Sequence, residues 1–307
     1  MNIMFMGTPD FALESLKKLY EKGYNVTAVV TRSDKEQGRS MRLVMPPVKE
    51  FALEKGLNVY QPESLKNGEL QEVLNIEKPD LIVVVAYGKI LPKYVLEYPK
   101  YGCINLHGSI LPKLRGSAPI QWSVINGDEY AGATTMYLSE GLDTGDIIDV
   151  YKTKVGESET AGELYDRIAT DGAELLCETV EKIFEGSATR TAQNDDEATY
   201  APMLTKEMGK ICFDRPAKEI YNQIRGLNPW PVAYIETNKG ILKVYAATVT
   251  DEEAMGTPGE ILEKKNAFVV QTAKGKIELK EVQLQGKKRM NAADFLRGAG
   301  DICIITE

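Results

Sequence analysis

The most apolar strand-like run of the chain is Leu81–Ala86 (LIVVVA), which is broken at Gly88. A strand that is apolar at every position is typical of a parallel sheet covered by helices, because both of its faces are buried. Residues Val26–Val30 (VTAVV) have the same character. Such runs alternate with amphipathic helix patterns, of which Asp10–Glu21 is one. The alternation predicts an α/β fold with a Rossmann-like, mostly parallel sheet flanked by helices.

The chain changes character after a polar, acidic stretch at Thr189–Thr199. Short strand-like runs separated by glycines and turns follow, at Ala233–Glu236, Gly240–Val249, Gly259–Lys264, Ala267–Thr272 and Gly275–Val282. Several short strands in a small segment are typical of an antiparallel barrel. We therefore predict an α/β domain at residues 1–189, a linker at 190–207 and a smaller C-terminal antiparallel β-barrel, of the OB-like kind, at 208–307.

Composition excludes several classes of protein. With 307 residues, 43% of them hydrophobic, the chain can bury a large core. The net charge of −8 argues against a general nucleic-acid binder, although the first 204 residues hold 21 basic and 31 acidic side chains and the rest 16 and 14. The four cysteines lie far apart and only one histidine is present, so no metal site is expected. Reduced thiols and the lack of a bilayer-length apolar run indicate a cytoplasmic protein without a membrane segment.

The single histidine, His107, lies at the end of a strand-like run and close to Asn105. Alternate residues of a strand point to the same side, so the two side chains can face one point. An amide donor suits a developing oxyanion, and an imidazole can transfer a proton near neutral pH. Asp143, in the loop 141–146, supplies a carboxylate that can orient the imidazole or hold a water. From the residues alone, a structural histidine and a turn aspartate remain the alternatives.

Ligands of open α/β sheets bind outside the carboxyl ends of the strands. Three segments are predicted to lie at such ends: 86–88, 105–112 and 138–143. The first turn after a strand reads Gly7-Thr8-Pro9-Asp10-Phe11, which lacks the G-x-G-x-x-G pattern, and no Walker A sequence is present. Dinucleotide and nucleoside triphosphate chemistry is therefore not expected.

The chain resembles the folate-dependent formyltransferases in several motifs, which occur in the family's order. They are NLH at 105–107, SILP at 109–112, RG at 115–116 and GLDTGD at 141–146. Phe5–Phe11, the long loop 32–47, the NPWP motif at 228–231 and the C-terminal domain are similar to the members that formylate methionyl initiator tRNA. The resemblance extends over essentially the whole chain.

The resemblance implies transfer of the formyl group of 10-formyltetrahydrofolate to the α-amino group of methionyl initiator tRNA in translation initiation. The amine would attack directly and form a tetrahedral intermediate, with Asn105, His107 and Asp143 as catalytic residues. The folate-contacting residues would be Ser109, Ile110, Leu111 and Pro112, with Val85, Ala86, Tyr87, Gly88, Leu138 and Gly141 around the pterin. Thr134 is expected to anchor a water or a backbone group, or else to be an ordinary strand threonine. The protein is expected to be a monomer that needs no metal.

Basic residues suggest how a tRNA would be bound. Lys35, Arg39 and Arg42 lie in the loop 32–47, which is predicted to be flexible and to approach the acceptor end. Four lysines of the second half are expected to meet the tRNA backbone: Lys206, Lys210, Lys287 and Lys288. Solvated surface charges are the alternative in both places. Trp230 is predicted to be a packing anchor at the domain junction rather than a base-stacking platform.

Three other functions are compatible with part of this pattern. A folate-dependent formyltransferase acting on a sugar or a purine precursor shares the chemistry, but a purine enzyme would not need the C-terminal domain and a sugar enzyme would not need the loop 32–47. A folate-dependent hydrolase would replace the amine by water. A non-catalytic RNA-binding module gives no reason for Asn105, His107 and Asp143 to occur together.

Overall fold

The computed structural model describes residues 1–37, 41–250, 256–263 and 266–305. The chain forms two compact units, each assembled from separate stretches of sequence. The first contains Met1–Pro119, Ala131–Thr153 and Tyr165–Ala201; the second contains Ile120–Tyr130, Lys154–Leu164 and Pro202–Glu307. The domain boundaries drawn from the sequence, 1–189, 190–207 and 208–307, stay a prediction.

Residues 1–201 contain both strands and helices. The strands are β1 (Asn2–Gly7), β2 (Asn25–Val30), β3 (Lys35–Gln37), β4 (Arg42–Val44), β5 (Asn58–Tyr60), β6 (Leu81–Val85), β7 (Cys103–His107), β8 (Arg115–Gly116), β9 (Tyr130–Tyr137), β10 (Ile147–Lys154) and β11 (Tyr200–Ala201). The helices are α1 (Asp10–Glu21), α2 (Pro47–Glu54), α3 (Glu69–Glu77), α4 (Lys93–Leu96), α5 (Pro119–Asn126) and α6 (Ala161–Glu185), and a 3₁₀ helix lies at Asp195–Glu197.

The main sheet has the strand order β10-β9-β7-β6-β1-β2-β5. From β7 to β5 each strand is parallel to its neighbours. Every residue of β6 is buried, as its apolar run predicts, and α1 buries Phe11, Leu16 and Leu19. The predicted Rossmann-like, mostly parallel sheet flanked by helices is confirmed.

The strand β9 departs from the predicted direction. It is antiparallel to β7, with His107 opposite Thr134 and Ile104 opposite Tyr137. The chain therefore leaves β9 beside the start of β7, and the prediction that residues 138–143 follow the carboxyl end of a parallel strand is wrong. Residues 131–136 are all buried, so the sequence of β9 carries none of the alternation that would mark an antiparallel strand with one solvated face.

The second unit is built on an antiparallel sheet. Its strands are β12 (Ala233–Thr237), β13 (Gly240–Thr250), β14 (Ile261–Glu263), β15 (Phe268–Gln271), β16 (Lys276–Leu284) and β17 (Met290–Asn291), its helices are α7 (Ala217–Gly226) and α8 (Ala292–Ala299), and a 3₁₀ helix lies at Glu207–Gly209. The sheet order is β12-β13-β16-β15-β14, with β17 beside β16. Phe268, Ile277 and Leu279 form its core with residues of α7 and α8. The predicted small antiparallel barrel is confirmed as a curled half-barrel, whereas α8 was not predicted.

A buried arginine explains why the second unit includes residues 154–164. The Arg225 guanidinium, on α7, donates to the carbonyl oxygens of Gly156 at 3.1 Å and Glu159 at 3.2 Å. Its Nε also donates to Asn222 Oδ1 at 3.0 Å. Burial lowers the pKa of Arg225, and these acceptors compensate for the water that the charge has lost.

Residues 190–201 pack within the first unit. Strand β11 lies parallel to β8, with Tyr200 beside Arg115 and Ala201 beside Gly116. Thr191 forms an antiparallel bridge to Ile147, with N–H···O distances of 2.8 and 2.9 Å. The segment expected to be a linker thus contributes backbone hydrogen bonds to the first unit.

Two further observations concern the surface. The Trp230 side chain is 54% exposed, so the prediction that it is a packing anchor is wrong. None of the helices in the described residues combines the length and the apolar character needed to cross a membrane.

The close approach of β9 and β10 gives a stability prediction. A Cβ atom at Gly132 would lie 1.9 Å from the Tyr151 carbonyl oxygen, so Gly132→Ala must displace backbone and should cost about 3 kcal/mol or more. Gly298→Ala is the control, because nothing lies within 4 Å of its Cβ position on α8; it should stabilise by roughly 0.5–1 kcal/mol. Calorimetric unfolding measures both, and an unchanged midpoint for Gly132→Ala would contradict the close packing.

Candidate active site

Asn105 and His107 occupy alternate positions at the end of β7, and both side chains are buried. They share one face of the sheet, because alternate residues of a strand project to the same side. Strand β6 lies parallel beside them, with Val84 paired to Asn105. The ends of β6 and β7 therefore lie at the same edge of the sheet.

The imidazole of His107 has one nitrogen engaged and one free to react. Nε2 lies 2.9 Å from the carbonyl oxygen of Leu114. A carbonyl only accepts, so Nε2 carries a hydrogen and donates it. Nδ1 lies 3.6 Å from Asp143 Oδ2, which is longer than a hydrogen bond. The carboxylate of Asp143 thus faces Nδ1 without a direct hydrogen bond.

Asp143 is held in an uncommon backbone conformation. Its φ is 53°, in the left-handed region that costs energy for a residue other than glycine. The Gly116 N–H donates to Asp143 Oδ2 at 2.8 Å. The loop also passes very close to β9, since a Cβ atom at Gly145 would lie 1.7 Å from the Tyr137 carbonyl oxygen. Gly145 therefore permits this close approach, which a side chain would block.

The Asn105 amide differs from its neighbours in having no partner. No hydrogen bond joins its side chain to any part of the chain that the structure describes, and the residue is 9% exposed. A buried carboxamide normally satisfies its donors and acceptor within the protein. An amide left open beside an imidazole and a carboxylate is suited to hold a ligand oxygen.

Thr134 fixes the turn that follows His107. Its hydroxyl donates to the Ser109 carbonyl at 2.6 Å and accepts from the Leu111 N–H at 3.1 Å. The Ser109 hydroxyl donates to the Lys113 carbonyl at 2.6 Å, and Ser109 and Leu111 are buried. In the segment 109–112 only Ile110 and Pro112 are partly exposed.

The segment 85–88 presents backbone rather than side chains. Tyr87 is buried in an apolar cluster with Leu65, Leu91 and Val95, and burial raises the pKa of its phenol to about 12. Ala86 and Gly88 are exposed and both have positive φ. Leu138 packs partly against the same cluster, and Gly141 is exposed.

Two family models match this chain. "Formyl transferase" matches residues 1–180, and "Formyl transferase, C-terminal domain" matches residues 203–300. The chain belongs to the formyl transferase family. Curated relatives named methionyl-tRNA formyltransferase include those of Desulforamulus reducens, at 49% identity over 97% of this chain and 95% of the relative, and Clostridioides difficile, at 46% over 97% of each.

Solved structures share the fold of this formyl transferase. One is an N-formyltransferase from Helicobacter canadensis in complex with folinic acid and dTDP-3-aminofucose, with a TM-score of 0.70. It is 22% identical and aligns over 90% of this chain and 98% of its own. At this identity the likeness concerns the fold alone.

The loop 32–47 of this formyl transferase contains a hairpin. Strands β3 and β4 are antiparallel, with Lys35 opposite Val44 and Gln37 opposite Arg42. The sequence did not indicate this hairpin, the flexibility of the loop stays a prediction, and Arg39 lies outside the described residues. Lys35 and Arg42 are exposed, and so are the apolar side chains of Met41, Leu43, Val44 and Met45.

The lysines of the second unit differ in their surroundings. Lys206, Lys287 and Lys288 are exposed. Lys210 is partly buried, and its Nζ lies 3.2 Å from Glu236 Oε2. Its positive charge is therefore partly compensated within the protein.

Arg32 is a site residue that the sequence did not single out. Its Nε donates to the Tyr87 carbonyl at 3.0 Å, and Nη2 donates to the Gly88 carbonyl. The guanidinium thereby holds the exposed backbone at the end of β6. Arg32 is one of several basic residues of the loop 32–47, and the sequence pattern does not separate it from the others.

Substitution of Tyr87 tests whether the backbone or the side chain of this residue contacts the formyl donor. Its hydroxyl has no hydrogen-bond partner among the described residues. Tyr87→Phe should therefore keep or raise the unfolding midpoint by removing an unsatisfied polar atom, and it should leave KM for the formyl donor unchanged. Because the folded pKa of about 12 exceeds the ordinary value near 10, the Tyr87 phenol ionises first in the unfolded chain, so the stability of the native chain falls as the pH rises from ~10 toward 12. The advantage of the variant should grow over that interval.

Tyr165→Phe is the matched control for this experiment. The Tyr165 phenol is also raised to a pKa of about 12 by burial, but its oxygen accepts from the Phe11 N–H at 3.1 Å. Its removal should destabilise by about 1 kcal/mol, since that amide loses its partner. A marked rise in KM for the formyl donor in Tyr87→Phe would show that the phenol reaches the donor.

Proposed function

We propose that this formyl transferase moves the formyl group of 10-formyltetrahydrofolate to the α-amino group of methionine on initiator tRNA, for translation initiation. The observation that carries the proposal is the open Asn105 amide on the same strand face as His107, whose Nδ1 faces Asp143 at 3.6 Å. The relatives named methionyl-tRNA formyltransferase, which match nearly the whole chain, support the choice of acceptor.

Asn105 is assigned to the oxyanion. The neutral amine attacks the formyl carbon, and the carbonyl oxygen becomes negative in the tetrahedral intermediate. The Asn105 amide donates to that oxygen, and it does so at little cost because the amide has no other partner to give up. One such donor is typically worth about 2.7–4 kcal/mol of transition-state stabilisation.

His107 is assigned to the proton. Overall, the amine loses one hydrogen and N10 of the folate gains one, while the C–N bond to N10 breaks and the new C–N bond forms. With Nε2 engaged by Leu114, Nδ1 is the nitrogen that accepts the proton from the amine side and returns one to N10, directly or through water. Asp143 stabilises the imidazolium in between, and acid–base help of this kind contributes about 10²–10⁴-fold. No covalent intermediate with the enzyme is needed.

The folate assignments from the sequence become more specific. Within the segment 109–112, Ser109 and Leu111 contribute backbone, since their side chains are buried, while Ile110 and Pro112 contribute apolar surface. Val85 and Tyr87 likewise contribute backbone, next to Ala86 and Gly88. Leu138 and Gly141 stay in the proposal as predictions from the sequence, since β9 ends beside the start of β7. The folinic acid bound by the H. canadensis N-formyltransferase supports a folate co-substrate.

The proposed tRNA contacts combine charge and apolar surface. Lys35 and Arg42 meet phosphates or base edges from a hairpin whose exposed apolar side chains can pack on the nucleic acid. Arg39 stays in the proposal as a prediction from the sequence. Lys206, Lys287 and Lys288 add backbone contacts, and Lys210 adds less because of Glu236. We also propose that the protein acts as a monomer in the cytoplasm.

The function is tested by formyl transfer from 10-formyltetrahydrofolate to methionyl initiator tRNA, methionyl elongator tRNA and an amino sugar. We expect efficient transfer only to the initiator. In the same assay Asn105→Ala should lower kcat by about 10²–10³, and His107→Ala and Asp143→Ala by up to about 10⁴. Asn75→Ala, on the exposed side of α3, is the control and should match the native chain.

Formyl transfer to the amino sugar alone would show that the acceptor is an amino sugar and not methionyl initiator tRNA. Near-native kcat in all three site variants would reject the catalytic assignment.

The hairpin is tested by the double variant Lys35→Ala with Arg42→Ala. Loss of two phosphate contacts should raise KM for the tRNA and make the salt dependence of binding less steep by about one unit of slope per contact. KM for the folate should not change. Lys66→Ala, another exposed lysine, serves as the control. A parallel loss of folate and tRNA affinity would indicate a folding defect rather than a tRNA contact.

A further inference from the structure

We propose that Gln193 is a positioning residue that holds Asp143 against His107 during formyl transfer. The inference rests on the catalytic role of Asp143 proposed above. Gln193 lies in the stretch 190–207, which the sequence indicated only as a linker, and the family motifs in the sequence do not include it.

Both ends of the Gln193 side-chain amide are hydrogen-bonded, and together they link the loop of Asp143 to Arg115 on β8. Nε2 donates to the carbonyl oxygens of Asp143 at 2.8 Å and of Gly145 at 2.7 Å. Oε1 accepts from Arg115 Nε at 3.1 Å and from Arg115 Nη2 at 2.8 Å. A guanidinium only donates, so the amide oxygen must face Arg115 and the NH₂ group must face the loop. Its orientation is thus decided by the chemistry of its neighbours.

Arg115 is a firm support for this amide. Its side chain is only 2% exposed, and Nη2 also lies 2.8 Å from Asp195 Oδ1. The next residue, Gly116, donates its N–H to the Asp143 carboxylate. One short strand, β8, therefore holds Asp143 twice: by its carboxylate through Gly116, and by its backbone through Arg115 and Gln193.

At Leu142 and Asp143 the loop depends on hydrogen bonds more than on side-chain packing. Leu142 is 60% exposed and contributes little packing, and Asp143 has the left-handed φ of 53°. A strained residue persists only where its surroundings determine it. The two carbonyls bound by Gln193 flank the Asp143–Gly145 turn, so losing both bonds frees the backbone that sets the 3.6 Å separation from His107 Nδ1.

The position of Gln193 is itself well defined. The bridge between Thr191 and Ile147 anchors the chain just before it, and the 3₁₀ helix Asp195–Glu197 follows. The amide therefore projects from backbone that is bonded on both sides. A support of this kind can hold a catalytic group to within the small distances on which rate depends, where a 1 Å error can cost about 10²-fold.

Two substitutions of Gln193 test the proposal. Gln193→Leu removes every bond, whereas Gln193→Glu keeps the length and the contact with Arg115 but presents an oxygen to the two carbonyls. We expect both to lower kcat, by about 10- to 100-fold, while KM for 10-formyltetrahydrofolate changes less than about twofold. Asn194→Ala is the matched control: it disturbs the cap of the adjacent 3₁₀ helix without touching the loop, and its kcat should be native.

A double-mutant cycle with Asp143→Asn distinguishes positioning from a general structural role. If Gln193 acts through Asp143, then Gln193→Leu should have almost no further effect on kcat in the Asp143→Asn background. A full additional loss there, or native kcat in both Gln193 variants beside an impaired Asp143→Asn, would overturn this inference alone. Native kcat in Asp143→Asn itself would overturn the proposed role of Asp143 and this inference with it. Calorimetry of each variant separates these outcomes from unfolding.

Discussion

The hydrogen bond from His107 Nε2 to the Leu114 carbonyl decides what the rest of the site can do. Because the carbonyl can only accept, it selects the tautomer and leaves Nδ1 as the nitrogen that exchanges a proton. Leu114 has a positive φ of 59°, and its N–H donates to Thr199 Oγ1 at 2.9 Å. The acceptor is thus fixed by a residue far along the chain. The placement of Asp143 on the Nδ1 side has chemical meaning only because Nε2 is already engaged.

Much of the fold was predictable from short-range patterns. Burial on both faces of β6 follows from its uninterrupted apolar run, and the strands of the second unit follow from their spacing between turns. The direction of β9 was not predictable, because a strand buried on both faces shows no alternation. The hairpin β3–β4 was missed for another reason: each strand has only three residues, and those of β4 are all exposed, so no buried face marks them.

The residues of the site likewise fall into those that a local sequence pattern predicts and those that only the fold brings together. Alternation along one strand places Asn105 and His107 together, and this is a local property of β7. Asp143 was assigned from the resemblance, since its contact with His107 exists only in the fold. Gln193 and Arg32 act through backbone carbonyls far away in sequence, and no local pattern marks a side chain whose partner is a distant peptide group. Tyr87 shows the converse, because the residue at a predicted position turned its side chain into the core and left only its backbone at the edge.

The short pairing of β11 with β8 has a mechanical consequence. The chain passes from the first unit to the second just after Ala201, which is bonded beside Gly116. A force applied to the chain beyond Ala201 acts on this pairing before it reaches Gln193 and Arg115, which hold Asp143. The pairing therefore shields the residues that hold Asp143 from displacements of the chain beyond Ala201.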